Sequence, residues 1–473
     1  MKILITGGTG FVGKTLITQL QQLGHSLTIL TRNPTKNSVV LGDWHTYIYW
    51  DALTNEPPKE VYENIDVIIN LMGEGVAEKR WSKAQKKKIK DTRIIGTKNL
   101  VSGALKHASS LKTFISASAI GYYDHKKKGE KFSDAPPSAD FMGKLCEEWE
   151  IESKKISTIA SVREVRFRIG LVLGNGGALN KLSLPISLGL GGPLGSGKQW
   201  MNWIHITDLC HALISAIDTP TFKGPYNAVA PENCTNRHFI KQLGKILKRP
   251  TLFFVPSVLL KVALGEMSVI VLEGQRVMSK GLEKTGFKFR FPSLTEALED
   301  AMQIRYIPHL KKKIKCQKFQ SAQWLNYEPS TVFDFFSNAH NLEKITPPLL
   351  QFKIEKQSTE KIEENTIFDY KLKIHGIPIR CKSLITNWNP IASFEDTQLK
   401  GPYKVWHHTH RFIPFNSGTL TEDEIYYAPP YIPIGKAIVN VFLKKDIVKI
   451  FNHRKKSIIQ LLSIFHVSLK EER

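Results

Sequence analysis

After Met1 the sequence reads Lys2-Ile3-Leu4-Ile5-Thr6-Gly7-Gly8-Thr9-Gly10-Phe11-Val12-Gly13, and this segment sets the architecture of the first domain. A short apolar run leads into glycines, and an amphipathic stretch from Phe11 to Leu23 follows and stops at Gly24. This order predicts a strand, a tight turn and a helix. The glycines let the backbone approach a pyrophosphate closely, and the free amides of the helix N-terminus attract phosphate oxygens. With another strand predicted over Ser26–Leu30, the segment predicts a dinucleotide site.

Arg32, at the end of the second predicted strand, indicates which dinucleotide binds. An acidic residue here would bond the ribose 2′-hydroxyl of NAD, whereas an arginine favours the 2′-phosphate of NADP. The alternative is an ordinary exposed arginine. We therefore predict NADP(H) as the cofactor, with Asp51 near the adenine. The residues predicted to contact the cofactor are Gly7, Thr9, Gly10, Phe11, Val12, Gly13, Arg32, Asp51, Leu71 and Gly73.

Composition limits the class of protein. A chain of 473 residues allows two or three domains, and 42% hydrophobic residues is ordinary for a globular protein. Because Met1 leads directly into a strand, we expect no signal peptide and a cytoplasmic location. The five cysteines form no Cys-x-x-Cys pair, which favours reduced thiols over disulfides or zinc. The most apolar window, Leu252–Leu272, contains Pro256, Lys261 and Glu266, so we expect no membrane span.

The net charge of +23 has two interpretations. It could attract an anionic partner, or it could be a solvated basic surface. The lysine clusters at 86–88, 126–128 and 311–313 lie far apart and carry no interleaved aromatic residues, so we favour the solvated surface and predict no nucleic-acid partner.

Further strands predicted over 47–51, 66–73, 114–118 and 165–169 alternate with helical segments, which is typical of a doubly wound parallel sheet. With these segments in place, residues 1–306 resemble the epimerase-like subgroup of the extended, atypical short-chain dehydrogenase/reductases, of the NAD-dependent epimerase/dehydratase type. The resemblance implies an α/β Rossmann fold with a small substrate lobe and a cap at about 245–300. It is carried by residues 6–13, 69–74, 80–81, 91–97, 118–123, 189–197, 203–208 and 274–277.

The same resemblance implies a catalytic Ser, Tyr and Lys. Ser118 and Lys144 match the first and the last, but Asp140 stands four residues before Lys144, where the family has Tyr. A carboxylate cannot replace a phenol of pKa near 10 without a large shift. Tyr122, or its neighbour Tyr123, could supply the acid, and Lys144 could instead be a surface residue. Two functions stay open: an NADPH-dependent oxidoreductase or epimerase of unknown small-molecule substrate, and a catalytically inactive NADPH-binding regulator or scaffold.

Glycine-rich loops at 174–177 and 189–197 precede the predicted substrate residues. An aromatic wall with polar groups is one interpretation. The other is a buried strand over 203–206 whose His forms a hydrogen bond in the core. The substrate candidates are Trp200, Trp203, His205 and Arg276.

The pattern changes after Tyr306, where we predict a linker over 307–317. Residues 318–465 resemble a START-like, polyketide-cyclase-type (SRPBCC) domain, on the segments 329–336 and 341–348. The resemblance implies an α+β helix-grip fold, in which a curved antiparallel sheet wraps a long C-terminal helix, here about 435–462, around an apolar cavity. It adds a third function, lipid or quinone carriage. The predicted cavity residues are Ile438, Val439, Phe442, Ile447, Ile450 and Phe451 of the helix and Phe368, Tyr370 and Trp406 of the sheet. The alternative is that these side chains fill the space and form an ordinary packed core.

The remaining predictions concern metals and partners. His408 and His410 share one face of a strand, but no third ligand is apparent beside them, so we predict no metal site. The predicted partners are a small-molecule substrate, an apolar ligand of the C-terminal domain and a second copy of the chain in a homodimer.

Overall fold

The computed structural model describes residues 1–374, 376–415, 417–429 and 436–471. The chain divides into two compact units, Met1–Met302 and Gln303–Arg473. Within the described ranges, none of the helices combines the length and the apolar character needed to cross a membrane.

The first unit is an α/β structure. Its strands are β1 (Lys2–Thr6), β2 (Ser26–Thr31), β3 (Thr46–Tyr49), β4 (Val67–Asn70), β5 (Thr113–Ala119), β6 (Glu130–Lys131), β7 (Arg163–Ile169), β8 (Leu171–Leu173), β9 (Trp200–Met201), β10 (Trp203–His205), β11 (Gly224–Ala228), β12 (Cys234–Thr235) and β13 (Arg276–Val277). Its helices are α1 (Phe11–Gln22), α2 (Pro34–Leu41), α3 (Lys83–His107), α4 (Phe141–Lys154), α5 (Gly177–Ser187), α6 (Ile206–Asp218), α7 (Asn236–Leu247), α8 (Ser257–Leu264), α9 (Val269–Leu272), α10 (Lys280–Glu283) and α11 (Leu294–Ala301).

A parallel sheet of seven described strands, in the order β11-β7-β5-β4-β1-β2-β3, forms the centre of this unit. Alternate side chains of one strand point to opposite faces. Ile3 and Ile5 of β1 therefore pack in the cluster that contains α1 and α6, whereas Leu4 packs in the cluster that contains α3. Burial on both faces explains the continuous apolar runs of β1 and β4 and gives the doubly wound arrangement.

A separate core lies beyond the carboxyl edge of the sheet. It joins α5, α7 and α11, and Leu243 of α7 and Leu298 of α11 are buried in it with Trp203. The predicted cap at about 245–300 is here a set of short helices, α8 to α11. This core lies in the part of the chain for which the sequence predicted a small substrate lobe, and its contact with a substrate stays a prediction.

The second unit is an antiparallel α+β structure. Its strands are β14 (Ile304–Ile307), β15 (Lys312–Lys315), β16 (Gln317–Leu325), β17 (Lys353–Gln357), β18 (Ile367–Ile374), β19 (Ile377–Asn389), β20 (Ser393–Lys400), β21 (Val405–Phe415) and β22 (Gly418–Ala428), and its helices are α12 (Pro329–Phe336), α13 (Ala339–Ile345) and α14 (Lys436–Glu471). Among the described residues its main sheet has the order β16-β22-β21-β20-β19-β18-β17. In the chain, the two short helices α12 and α13 lie between β16 and β17.

Apolar side chains of α14 pack on this sheet. Ile447 and Phe451 form a cluster with Ile425 and Tyr427 of β22, and Phe319 and Trp406 contact that cluster. The side chains of Ile438, Val439 and Phe442, which we predicted to line a cavity, lie outside the described residues.

The predicted linker over 307–317 needs correction. β14 and β15 pair as an antiparallel hairpin, and β16 begins at Gln317. Ile307 and Cys316 are buried with Val405 and Ala428, and Ile314 packs against them. These apolar side chains anchor the hairpin on the second unit, which therefore begins at Gln303 and not after Tyr306.

Candidate functional site

The glycine turn between β1 and α1 is shaped by close backbone contacts. Gly7 has a φ of +70°, and a Cβ there would lie 2.5 Å from the carbonyl oxygen of Leu71. A Cβ at Gly13 would lie 2.3 Å from the oxygen of Gly7. At Gly10, by contrast, a Cβ would meet only Gly7 O, at 3.2 Å. Packing therefore explains Gly7 and Gly13, whereas the space beside Gly10 is open to a ligand.

The first turn of α1 offers backbone amides. Gly10 is the N-cap of α1, and no side chain caps this end. Thr9, Phe11 and Val12 lie in the same turn. Uncapped amides and the positive end of the helix dipole suit a phosphate group.

Buried polar side chains hold the neighbouring strands in place. Thr6 Oγ1 donates a hydrogen bond of 2.7 Å to Asn70 Oδ1. Asn70 Nδ2 donates to the hydroxyls of Thr97 (2.9 Å) and Ser116 (3.3 Å). This network joins β1, β4, β5 and α3 directly beneath Leu71, whose amide donates to Thr6 O at 3.1 Å. This network was not predicted from the sequence, although a polar Asn at the end of a buried apolar strand is a usable signal.

Gly73 has a structural explanation. A Cβ there would lie 2.8 Å from Cζ of Arg93, and the Arg93 guanidinium donates hydrogen bonds to the carbonyl oxygens of Glu74 and Ile89. The absence of a side chain at Gly73 thus makes room for Arg93, which fixes the loop after β4.

Arg32 and Asp51 both lie at the carboxyl edge of the parallel sheet. Arg32 directly follows β2 and is exposed. Thr31 Oγ1 accepts hydrogen bonds from Asn33 N (3.2 Å) and Asn37 Nδ2 (2.6 Å), which orders the turn that carries Arg32. Asp51 follows the neighbouring strand β3, and its Oδ1 accepts a hydrogen bond from Leu53 N at 3.1 Å. Since β1, β2 and β3 are adjacent and parallel, these residues share an edge with the glycine turn.

Ser118, the predicted catalytic serine, belongs to a buried ionic network. Its Oγ donates a 2.7 Å hydrogen bond to Glu150 Oε1. Arg168 binds the same carboxylate through Nε (2.7 Å) and Nη2 (2.8 Å), and Arg166 Nη1 lies 3.1 Å from Oε2. A hydrogen bond to a buried carboxylate is strong. The Ser118 hydroxyl is therefore already engaged inside the protein.

The two tyrosines differ in their surroundings. Tyr123 is buried, its hydroxyl donates to Asn227 Oδ1 at 2.5 Å, and Arg168 Nη1 donates to it at 2.8 Å. Tyr122 is half-buried, and the Arg168 guanidinium carbon lies 3.5 Å from its ring centroid. Burial raises the pKa of Tyr122 and raises the pKa of Tyr123 to about 12. In the described hydrogen bonds the Tyr122 hydroxyl has no protein partner, so it is the phenol that can donate a proton to a ligand.

Asp140 caps a helix. Its Oδ1 accepts a 2.8 Å hydrogen bond from Gly143 N at the start of α4, and its Oδ2 lies 3.5 Å from His125 Nδ1. An Asp at an N-cap is expected on local grounds, because its side chain satisfies an amide of the first turn. Lys144 lies in that first turn and is exposed. Among the described contacts none brings Lys144 to Ser118 or to Tyr122.

Two of the four predicted substrate residues belong to the core. Trp203 and His205 are each 1% exposed. His205 caps α6, with Nδ1 accepting from Thr207 N at 3.2 Å, and its Nε2 lies 3.2 Å from Asp300 Oδ2. Both residues therefore belong to the core and not to a substrate wall. This agrees with the alternative interpretation of residues 203–206 as a buried strand.

The other two lie together at the surface. The Arg276 guanidinium carbon lies 5.3 Å from the Trp200 ring centroid, and Arg276 Nη1 lies 3.0 Å from Glu130 Oε1. Trp200 and Arg276 remain as the substrate-side candidates.

The similarities to known proteins fall in the first unit of the chain. The model of the "NAD dependent epimerase/dehydratase family" matches residues 3–229, and that of a "Domain of unknown function (DUF1731)" matches residues 255–301. An epimerase family protein of Staphylococcus haemolyticus is 36% identical over 305 residues, which are 63% of this chain and 98% of the relative. A chloroplastic homologue of the epimerase family protein SDR39U1 from Arabidopsis thaliana is 33% identical over 308 residues, 64% of this chain and 87% of the relative.

A solved structure is similar over the same part of the chain. It is the crystal structure of the human epimerase family protein SDR39U1 with NADPH. The two chains are 32% identical with a TM-score of 0.55, over 64% of this chain and 99% of the other.

Proposed function

The chain belongs to the NAD dependent epimerase/dehydratase family, and we propose that its first unit is an NADPH-dependent oxidoreductase or epimerase acting on a small molecule. The observation that carries the proposal is the turn at Gly10, which is open to a ligand and lies at the same sheet edge as exposed Arg32. A guanidinium can form paired, charge-assisted hydrogen bonds to a 2′-phosphate. The similarity to a structure solved with NADPH supports this choice of cofactor.

A cofactor titration tests the binding site. NADPH added to the full-length protein should bind, and Gly10→Ala should weaken binding strongly because the added methyl occupies the space of the pyrophosphate. Gly281→Ala is the matched control, since a Cβ there makes only ordinary contacts of 3.7 Å and 3.8 Å. Equal affinities of the Gly10 and Gly281 variants would contradict the assignment of the glycine turn.

We propose Tyr122 as the proton donor of the reaction. Bound NADPH would supply the hydride. Burial raises the pKa of Tyr122, so its hydroxyl is protonated at neutral pH, and it can give that proton to the strongly basic oxygen that hydride addition leaves on a carbonyl substrate. The Arg168 guanidinium against the ring stabilises the phenolate that forms.

NADPH oxidation in the presence of a panel of carbonyl compounds tests this role. Tyr122→Phe should abolish turnover and leave NADPH affinity unchanged. Lys144→Ala should weaken cofactor binding or turnover if Lys144 faces the cofactor. It should change neither if Lys144 is a surface residue.

A non-catalytic NADPH-binding regulator or scaffold is the second candidate. It is favoured by the engagement of Ser118 with Glu150 and by the capping role of Asp140. A wild-type protein that binds NADPH and never oxidises it across the carbonyl panel would favour this candidate over the enzyme.

We further propose that the second unit is a helix-grip domain that binds an apolar ligand. Three features support it: the strand order β16-β22-β21-β20-β19-β18-β17, the two short helices after the first of these strands, and the packing of α14 on the sheet through Ile447 and Phe451. A fluorescent lipid or a quinone titrated into the full-length protein should saturate. If neither ligand binds, the second unit has an ordinary packed core and no role as a ligand carrier.

The homodimer also remains a prediction, which sedimentation of the full-length protein tests.

A further inference from the structure

Four titratable side chains meet on one face of the C-terminal sheet. They are Asp396 of β20, His408 and His410 of β21, and Asp423 of β22. The strand register places Asp396 opposite His408 and His410 opposite Asp423. Alternation along β21 directs His407 to the other face. The ring of Phe451 from α14 lies 5.7 Å from that of His408, so the four groups lie on the face that α14 covers.

Asp423 holds one nitrogen of each imidazole. Its Oδ1 lies 2.9 Å from His408 Nε2, in a hydrogen bond, and 2.9 Å from His410 Nδ1. A carboxylate accepts hydrogen bonds, so the ring protons belong on these two nitrogens. In the neutral rings the lone pairs then lie on the opposite nitrogens, His408 Nδ1 and His410 Nε2.

Those opposite nitrogens point toward a second carboxylate. His408 Nδ1 lies 3.6 Å and His410 Nε2 3.7 Å from Asp396 Oδ2. Both distances exceed that of an ordinary N–H···O hydrogen bond. One ligand atom from each of Asp396, His408 and His410 lies within 4.8 Å of the other two. When both rings are neutral, three groups of acceptor character converge, an arrangement that a cation between them would stabilise.

The separations suit a coordination sphere. Nitrogen and carboxylate oxygen bind Zn²⁺ at about 2.0–2.2 Å, which places tetrahedral ligand atoms roughly 3.3–3.6 Å apart. The observed 3.6 Å and 3.7 Å need only small side-chain adjustments. Metal-bound histidines commonly donate the other ring N–H to a carboxylate, which fixes the tautomer. Asp423 stands in that position for both rings.

We propose that Asp396, His408 and His410 bind one divalent transition-metal ion, with Asp423 orienting both imidazoles. Two imidazoles and one carboxylate suit Zn²⁺ and the other late first-row ions. The two histidine side chains are 5% and 7% exposed, whereas Asp396 keeps 21% of its side chain exposed. Coordination positions beside Asp396 are therefore open to water or to a ligand of the second unit.

Asp396 and Asp423 together carry the charge that balances a dication. The buried Arg454 of α14 adds a positive charge near Asp423 and His410, with which the ion must compete. Phe394 stacks on His410 at 4.2 Å and shields the cluster on one side. The third ligand was not apparent from the sequence because Asp396 is on the neighbouring strand, twelve residues before His408.

Metal titration of the full-length, tag-free and chelator-stripped protein tests the proposal. Co²⁺ should bind one ion per chain with visible ligand-field absorption, and Zn²⁺ should displace it. His408→Gln and His410→Gln should lower the affinity at least ~100-fold, and Asp423→Asn should lower it by about 10- to 100-fold. His407→Gln is the matched control on the same strand and should bind as the wild type does.

Two results would overturn the proposal. One is a wild-type protein without Co²⁺ ligand-field absorption, which needs no variant and so does not depend on whether the variants fold. The other is an affinity that stays the same in His408→Gln and His410→Gln, which would assign the ion to another site. Circular dichroism of each variant identifies those that retain the wild-type structure.

Discussion

At the residue scale, Glu150 connects the predicted catalytic serine to two arginines. Its carboxylate accepts from Ser118 and pairs with Arg166 and Arg168, all inside the first unit. The sequence indicated Ser118 but not its partner Glu150. A Glu in a helix is usually exposed, and nothing in the sequence around Glu150 distinguishes it from such a residue. The signal that could have found it is the charge in β7, where Arg166 and Arg168 occur in a strand that the pattern predicts to be buried.

Glu150→Ala should therefore destabilise the protein. The change leaves Arg168 buried without its main partner, and breaking a buried ion pair costs about 3–5 kcal/mol. Glu148→Ala in the same helix is the control, because its pair with Lys90 is exposed and contributes about 1 kcal/mol or less. Urea unfolding measures both. A Glu150→Ala protein as stable as the Glu148→Ala protein would show that the network contributes nothing to stability.

His45 gives a prediction on pH. Its Nε2 lies 3.0 Å from Gln21 Oε1, and burial lowers its pKa from an ordinary 6.5 to about 4. Between these values the unfolded chain binds a proton that the folded chain does not, so the stability falls as the pH falls from 6.5 to 4. The contribution amounts to up to about 3 kcal/mol. Wild type should thus lose more unfolding free energy over this range than His45→Gln, and equal losses would contradict the argument.

At the element scale, α4 begins with a capping residue, Asp140, at the position where the family that the sequence resembles has a catalytic Tyr. The helix begins at Phe141 with Asp140 as its cap, and its first turn is close-packed: a Cβ at Gly143 would lie 2.2 Å from Ser138 O. The Asp140 carboxylate satisfies the Gly143 amide in this turn, so position 140 favours a side chain that can cap the helix.

Asp140→Ala should cost about 1 kcal/mol of unfolding free energy through the loss of the cap, whereas Asp140→Asn should cost much less, since Asn caps nearly as well. Turnover offers the decisive comparison. If Asp140 only caps α4, Asp140→Asn keeps full activity. Loss of activity in a stable Asp140→Asn protein would instead make this carboxylate part of the chemistry.

The elements differ in how well the sequence predicted them. The parallel strands were predictable because β1 and β4 are buried on both faces and read as continuous apolar runs. The hairpin of β14 and β15 was not, since three of the four residues of β15 are lysines and its apolar contacts come from isolated residues such as Ile307, Ile314 and Cys316. Trp203 and His205 could not be assigned from their types, because aromatic and imidazole groups serve equally in a substrate wall and in a core.

At the scale of the whole molecule, two units with separate cores form one chain. Periodicity and glycine positions predicted the α/β class of the first unit, and a resemblance on short segments suggested an α+β class for the second. They could not predict which residues approach one another across strands, such as Asp396 and His410, because the strand register is set by tertiary packing. The turn of the N-terminal site could be located from the sequence because it is local in sequence, whereas the residues that contact the cofactor stay a prediction.

NADPH as the cofactor of the first unit is the central premise of the proposed function. NADPH and NADH should be titrated against wild type, Arg32→Ala and the control Lys128→Ala, which changes an exposed lysine outside the site. Wild type should prefer NADPH, and Arg32→Ala should lose about 10- to 100-fold in NADPH affinity, since hydrogen bonds to charged groups contribute roughly 1.5–3 kcal/mol. NADH binding should not change in either variant. Equal affinities of the wild type for NADPH and NADH would contradict the account.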